Sequence, residues 1–151
     1  MLEVRARVLG KEHLDTLTSM SNLAEILREQ GDPMGARRLQ EQALDVRTRV
    51  LGKEHPDTLT SMNNLAATLE EQGDYAGARR LEEQVLEVRT RVLGKEHPDT
   101  LMSMNNLAVT LRVQGEHAGA RRLQEQVLEV ITQLLGKEHP DTLTEIGRAH
   151  V

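Results

Sequence analysis

The chain has 151 residues and contains no cysteine, no tryptophan and no phenylalanine, and its single tyrosine is Tyr75. Without cysteine there are no disulfide bonds and no thiolate metal sites, although this does not fix the cellular compartment. Without aromatic rings there is no platform on which nucleic-acid bases could stack, and the net charge of -5 has the wrong sign for a binder of phosphate backbones. We therefore expect a core of Leu, Val, Ala and Met side chains and no nucleic-acid partner.

Long apolar runs are also missing from the sequence. No stretch approaches the roughly 20 apolar residues that a membrane-spanning helix needs. The opening residues, Met1–Arg5, carry no signal-peptide pattern and instead match Leu86–Arg89 further along the chain. The sequence thus predicts a cytoplasmic protein without a membrane partner.

What the chain does have is an internal repeat with a period of 42 residues. A fixed period of this size is typical of stacked supersecondary units rather than of one folded-over core. The segment Leu-Gly-Lys-Glu-His-Pro-Asp-Thr-Leu occurs three times unchanged and once with leucine in place of proline, at Leu51–Leu59, Leu93–Leu101, Leu135–Leu143 and Leu9–Leu17.

The sequence of each unit predicts two helices. In the central unit, proline suits a helix start at Pro56, and glycine suits a left-handed cap at Gly73, so we expect a first helix over Pro56–Gln72. Apolar residues recur along it at three- and four-residue steps. The second helix carries a similar stripe, which predicts a buried seam, and it ends before Gly94. The stripes are Leu59, Met62, Leu65, Ala66 and Leu69 in the first helix, and Ala78, Leu81, Val85, Val88 and Val92 in the second.

These helix pairs divide the whole chain, residues 1–151, into a single repeat array. A hairpin of two helices cannot bury both apolar faces alone, whereas a stack of such hairpins can. We predict a partial repeat at 1–9, repeats at 14–51, 56–93 and 98–135, and a partial repeat at 140–151.

The units resemble tetratricopeptide repeats, and the 42-residue period resembles the kinesin light chain subclass in particular. In the central unit the resemblance rests on Leu65-Ala66, Leu69, Gly73-Asp74-Tyr75 and Ala78, together with Asn63-Asn64 and the Leu93–Pro98 linker. It implies an all-α fold, an α-solenoid of antiparallel helix pairs wound into a right-handed superhelix. It also implies a concave groove, lined by the first helices, that holds a peptide.

The sequence departs from the family pattern inside the second helix. Glu82 stands where the family usually has Tyr or Phe, and Gln40 and Gln124 are its equivalents. This predicts a lightly packed core.

The recurring histidines suggest a metal or catalytic site only at first sight. Equivalent residues of successive repeats lie on the order of 10 Å apart, about one helix diameter, so they cannot share an ion that needs ligands at ~2 Å. We therefore interpret them as loop residues beside the start of each first helix. No phosphate-loop, His-Glu-x-x-His or Gly-x-Ser-x-Gly motif occurs, so we expect no enzyme, no cofactor and no metal. The histidines are His13, His55, His97 and His139.

Paired arginines begin each second helix, at Arg37-Arg38, Arg79-Arg80 and Arg121-Arg122. They suit a basic strip for an acidic partner, or ion pairs with Glu41, Glu83 and Glu125 or with acids of the next repeat. We favour the structural role.

Asparagine is a poor helix former, yet it stands in the middle of each first helix. Its amide offers both a donor and an acceptor, which suits recognition of a peptide backbone. The alternative is an inter-helix hydrogen bond that fixes repeat stacking. Other residues on the same side of the first helices join the asparagines as candidates. The candidate peptide-binding residues are Asn22, Arg28, Asn63, Asn64, Glu70, Met102, Asn105, Asn106, Val109 and Arg112.

We therefore predict a protein–protein interaction module that binds a peptide or protein segment. The alternative is a self-associating structural element or the sensor arm of a larger nucleotide-switch protein. Exposed apolar surface on uncapped terminal repeats would also favour a homo-oligomer.

Overall fold

The computed structural model describes residues 14–136, and no strand occurs among them. Six α-helices of 16 and 19 residues alternate along this range. They are α1 (Leu14–Glu29), α2 (Pro33–Leu51), α3 (Pro56–Glu71), α4 (Tyr75–Leu93), α5 (Pro98–Val113) and α6 (His117–Leu135). The expectations for Met1–Leu9, His13, His139 and residues 140–151 lie outside the described residues.

The first helices begin and end as the sequence predicts. Proline occupies the first turn of α3 and α5, and a histidine precedes it. The glycine at the end of α3 adopts the left-handed conformation, with a φ of 81° at Gly73, and the next amide, Asp74 N–H, donates to the Leu69 carbonyl at 2.8 Å. The helix α3 ends at Glu71, one residue before the predicted end.

An aspartate caps the second helix in the first two hairpins. The Asp32 carboxylate accepts a hydrogen bond from the Gly35 amide, and Asp74 accepts one from Gly77, both at 3.0 Å. These bonds satisfy amides that have no partner inside the helix. The turn of Gly and Asp thus ends one helix and starts the next.

Contacts divide the chain into two compact units, with the division between Leu81 and Glu82 inside α4. The first unit holds two clusters of buried apolar side chains, and the second unit holds one. The predicted stripe of the first helices is buried along the whole of α3. The clusters are Leu17, Met20 and Ala43; Leu65, Ala66, Leu69 and Ala78; and Leu107, Ala108, Leu111 and Ala120.

The predicted seam of α4 is wrong in part. Ala78 and Val85 are fully buried, but Val92 is 55% exposed. The buried line instead passes through Glu82 and Arg89, two charged residues that lie 5% and 6% exposed. Burial of these side chains is tolerated because each is hydrogen-bonded to α5, as described below.

Candidate functional site

Four of the predicted peptide-binding residues share one face of α5. Met102, Asn105, Val109 and Arg112 follow one another at steps of three, four and three residues, and all are exposed. The opposite side of the helix is buried in the cluster around Leu107. This face therefore presents two apolar side chains, an amide and a guanidinium to solvent.

Most of the candidates in α1 and α3 are less accessible. Asn22 is exposed, whereas Asn63, Asn64 and Glu70 are half-buried. Asn106 on α5 is also half-buried. The structure thus places the candidates on the first helices at different depths.

The asparagine amides make no side-chain hydrogen bond to any other residue in the range 14–136. Where these positions take part in hydrogen bonds, they do so through the backbone. The Asn64 carbonyl accepts a hydrogen bond from the Gln40 amide at 3.4 Å, and the Asn106 carbonyl accepts one from the Thr110 hydroxyl at 3.3 Å. The Asn64 side chain borders a small cavity with Ser21 and Ser61.

Arg28 belongs to an ion-pair network. Its guanidinium donates to Glu25 at 2.9 Å in the same helix and to Glu71 on α3, to which the Nε–H donates at 3.1 Å. The hydrogen bond to Glu71 raises the pKa of Arg28, and the same bond lowers the pKa of Glu71. Glu71, which stands one residue after the candidate Glu70, was not predicted from the sequence.

Two arginines that were not predicted from the sequence, the buried Arg89 and the half-buried Arg47, join the second helices to the first helices. Arg89 on α4 donates to the Ser103 hydroxyl at 2.7 Å and to the Asp99 carbonyl at 3.3 Å. Arg47 on α2 donates to Ser21 at 3.2 Å and to Ser61 at 2.5 Å, and burial lowers its pKa. The signal in the sequence was the recurrence of arginine 42 residues apart on a largely apolar side of the helix.

Glu82 contributes a third buried polar contact. Its carboxylate accepts a hydrogen bond from the Thr110 hydroxyl on α5 at 2.6 Å. At the position where the resemblance implies Tyr or Phe, the chain thus has a polar contact between neighbouring helices.

The arginine pairs behave as the structural interpretation predicts at two positions. Arg37 and Arg121 each pair with the glutamate four residues later, Glu41 and Glu125, with nitrogen–oxygen distances of 2.6 Å. Arg37 also lies 3.9 Å from the Asp74 carboxylate and donates to the Gln72 amide oxygen at 3.2 Å, both in the next hairpin. The second arginine of each pair is exposed, at Arg38, Arg80 and Arg122.

Histidine caps the first helices α3 and α5. The Nδ1 atoms of His55 and His97 accept hydrogen bonds from the amides of Asp57 and Asp99 at 3.1 Å. Over residues 14–136, no group of three or more His, Asp or Glu side chains is placed to hold a metal ion. Among the described residues, none of the six helices has the length and hydropathy of a membrane-spanning segment.

An open hollow of about 290 Å³ lies between the end of α5 and the start of α6. Its floor is formed by Ala108 and Ala120, and its rim carries two guanidinium groups, Arg112 and Arg121. The rim is therefore basic, and it adjoins the exposed face of α5. The remaining lining residues are Val109, His117 and Gln124.

Family models described as tetratricopeptide repeat match two stretches of the chain, residues 20–91 and residues 100–141. A search of curated proteins found no match. Among solved structures, a variant of a candidate kinesin light chain from Podosopora anserina with nearly identical TPR-like repeats is similar over 95% of this chain, at 32% identity and a TM-score of 0.84. A second structure of such a protein from the same organism covers 89% of this chain at 30% identity and a TM-score of 0.81.

BtubC (BKLC) from P. vanneervenii is similar in fold, with a TM-score of 0.80 over 92% of this chain at 21% identity. The chain spans 68%, 64% and 55% of the lengths of these three structures, in the same order. These similarities confirm the predicted fold class, an all-α solenoid of helix pairs.

Proposed function

Because the chain belongs to the tetratricopeptide repeat family, with kinesin light chain-like repeats, we propose that it binds a peptide or protein segment on the exposed faces of its first helices. Tetratricopeptide repeats are general protein–protein interaction modules and a non-enzymatic scaffold type. The proposal extends this general role to specific residues, in a cytoplasmic scaffold protein.

The face of α5 is the observation that carries the proposal. Met102 and Val109 are apolar side chains that are 47% and 43% exposed. Asn105 lies between them on the same face, with an amide that can donate to one peptide carbonyl and accept from one peptide amide. Apolar contact with Met102 and Val109 would then supply affinity, and the Asn105 amide would fix the position of the peptide backbone along the helix.

The side chains on this face of α5 define the kind of peptide segment that it would bind. Two apolar side chains of the ligand would cover Met102 and Val109, and a carboxylate beside them would meet Arg112. On the first unit, Asn22 and Asn63 offer amides to a backbone, with no comparable exposed apolar side chain at Thr60 or Ala67. The second unit would therefore supply most of the specificity.

A peptide selection tests the proposal directly. Random peptides displayed on phage are selected on the wild-type chain, and the synthetic peptides recovered are measured by fluorescence polarisation. We expect Asn63→Ala, Asn105→Ala and Arg112→Glu together to weaken binding by at least about tenfold, equivalent to about 1.4 kcal/mol. Arg122→Glu, an exposed charge reversal on α6, is the matched control and should leave binding unchanged.

Equal affinity of the triple variant and the wild type would show that the peptides bind elsewhere. The proposal would then be wrong for these residues.

A further inference from the structure

The side chain of Gln40 on α2 is buried between the first two hairpins, and half of its amide has no partner. Gln40 is only 6% exposed. Its Nε2 donates to the Asn64 carbonyl at 3.4 Å, but its Oε1 is buried and accepts no hydrogen bond from the residues that the structure describes. The Asn64 carbonyl fixes this orientation, because a reversed amide would set two oxygen atoms against each other. A buried oxygen of this kind is costly unless it is hydrogen-bonded.

A small polar cavity adjoins this amide. Its volume is about 10 Å³, and it is lined by Ser21 of α1, by Gln40 and Ala43 of α2, and by Ser61 and Asn64 of α3. This volume is on the order of the space that a single water molecule needs. The cavity therefore admits one water molecule or one small ion, and nothing larger.

The repeat pattern explains why the cavity lies between these two hairpins. One period further along the chain, Ala43 becomes Val85, which is fully buried, and Gln40 becomes Glu82. Glu82 has a donor of its own, the Thr110 hydroxyl at 2.6 Å. The alanine thus leaves out two methyl groups beside the one polar side chain that lacks a direct partner.

The hydrogen bonds around the cavity define what it can hold. Arg47 donates to the hydroxyl oxygens of Ser21 and Ser61 at 3.2 Å and 2.5 Å. Each hydroxyl accepts from the guanidinium, and neither donates to another residue in the range 14–136, so both hydroxyl protons are available. The cavity thus offers two donors from the serines and one acceptor, the Gln40 Oε1.

This set of groups disfavours an ion of either sign. A cation would lie beside the positive guanidinium of Arg47, which contacts both serines. An anion would lie against the lone pairs of the Gln40 Oε1. A water molecule accepts two hydrogen bonds and donates two, so it is compatible with all three groups.

We propose that one buried water molecule occupies this cavity as part of the fold. It accepts hydrogen bonds from Ser21 and Ser61 and donates one to the Gln40 Oε1, and the Asn64 side-chain oxygen is the acceptor for its second proton. The water therefore joins α1, α2 and α3. Asn64 then has the structural role that was the alternative to peptide binding, and this role does not depend on the peptide-binding proposal.

Ala43→Val tests the water site, because it introduces the side chain that the repeat has at the next equivalent position. A high-resolution crystal structure of the wild-type chain should show a water about 2.7–3.2 Å from the Gln40 Oε1, and the variant should lack it. Displacing the water leaves that oxygen unsatisfied. We therefore expect the opening constant of the first unit, measured by amide hydrogen exchange in α2 and α3, to rise about fivefold or more.

Gln40→Met separates loss of the water from simple overcrowding, since it removes the oxygen and keeps an unbranched side chain. In the Gln40→Met background, Ala43→Val should change the opening constant by less than about twofold or lower it. Ala76→Val makes the same change at an exposed position of α4 and is the control, with an expected effect below about twofold.

Two results would overturn the proposal. One is a wild-type crystal structure without electron density for a water beside the Gln40 Oε1. The other is an Ala43→Val effect of the same sign and size with and without the Gln40 amide, which would mean that the valine acts through packing alone.

Discussion

At the scale of single residues, an ion pair joins two neighbouring first helices. Arg28 and Glu71 lie on neighbouring first helices, and each shifts the pKa of the other in the direction that favours its charged form. The pair is partly exposed, with 20% and 45% of the two side chains accessible. Solvent screening therefore limits its contribution to stability to about 1 kcal/mol or less.

The Arg28–Glu71 pair predicts a pH-dependent contribution to folding. The pKa of Glu71 is lower in the folded state than in the unfolded state, so the pair stabilises the fold above the unfolded value, near pH ~4.3, and the benefit is lost as pH falls through the folded pKa. Glu71→Gln should melt below the wild type at neutral pH, and the difference should shrink at acid pH. Thermal melts of both proteins across the pH range measure this.

Glu96→Gln is the control for that pH series, because Glu96 is exposed in a turn and has no partner within the described range. Its melting temperature should follow the wild type at every pH. A Glu71→Gln deficit that persisted unchanged below pH ~3 would show that packing, and not the charge pair, is responsible.

At the scale of helices, buried hydrogen bonds join α4 to α5. Arg89 donates to Ser103 and to the Asp99 carbonyl, and the Thr100 hydroxyl donates to the Arg89 carbonyl at 3.2 Å. The last of the second helices, α6, carries Ile131 at the equivalent position. The repeat therefore uses either a polar or an apolar side chain at this position.

We expect Arg89→Ala to destabilise the second unit by about 2–3 kcal/mol, because it removes charged hydrogen bonds and leaves buried acceptors without partners. Arg89→Met should cost less, since it keeps the apolar stem. A double-mutant cycle of Arg89→Met and Ser103→Ala, measured by urea denaturation, should show coupling of about 1 kcal/mol.

Arg80→Ala, on an exposed side of α4, should change stability by less than about 0.5 kcal/mol. A cycle without coupling between Arg89 and Ser103 would contradict the assignment of this bond.

The helices could be predicted well from the sequence, but the buried face of α4 could not, and the reason is physical. Pro56 and Gly73 are local signals that set helix ends whatever the surroundings, and the stripe of α3 is wholly apolar. The buried line of α4 includes Glu82 and Arg89, whose burial depends on partners in another helix. Hydrophobic periodicity alone predicts that Val92 is buried instead. It takes only apolar residues into account, so it cannot identify a polar side chain that is buried because it is hydrogen-bonded inside the protein.

At the scale of the molecule, the candidate site could be predicted only where it follows the helical period. The exposed stripe of α5 is such a case, since Met102, Asn105, Val109 and Arg112 repeat at helical steps. The hollow beside it could not be predicted, because Arg121 reaches it from α6. Such a site depends on how two helices pack, and a single helix does not encode that.

The separation of the buried clusters makes a prediction for the whole chain. Leu65 belongs to a cluster of the first unit and Leu107 to the cluster of the second, each with its own neighbours. Repeat proteins are stabilised by contacts within repeats and between nearest neighbours, so they open in parts. Leu107→Ala, at a cost of about 2–5 kcal/mol, should therefore lower amide protection in α5 and α6 far more than in α1 and α2.

Hydrogen exchange with mass spectrometry resolves the helices for this comparison. Leu65→Ala should give the opposite pattern, with the largest loss of protection in α3 and its neighbours in the first unit. Val113→Ala, at a position 52% exposed, is the control and should alter protection in neither unit. A uniform loss along all six helices in either leucine variant would instead show one cooperative folding unit, in which a defect in either cluster is felt throughout the chain.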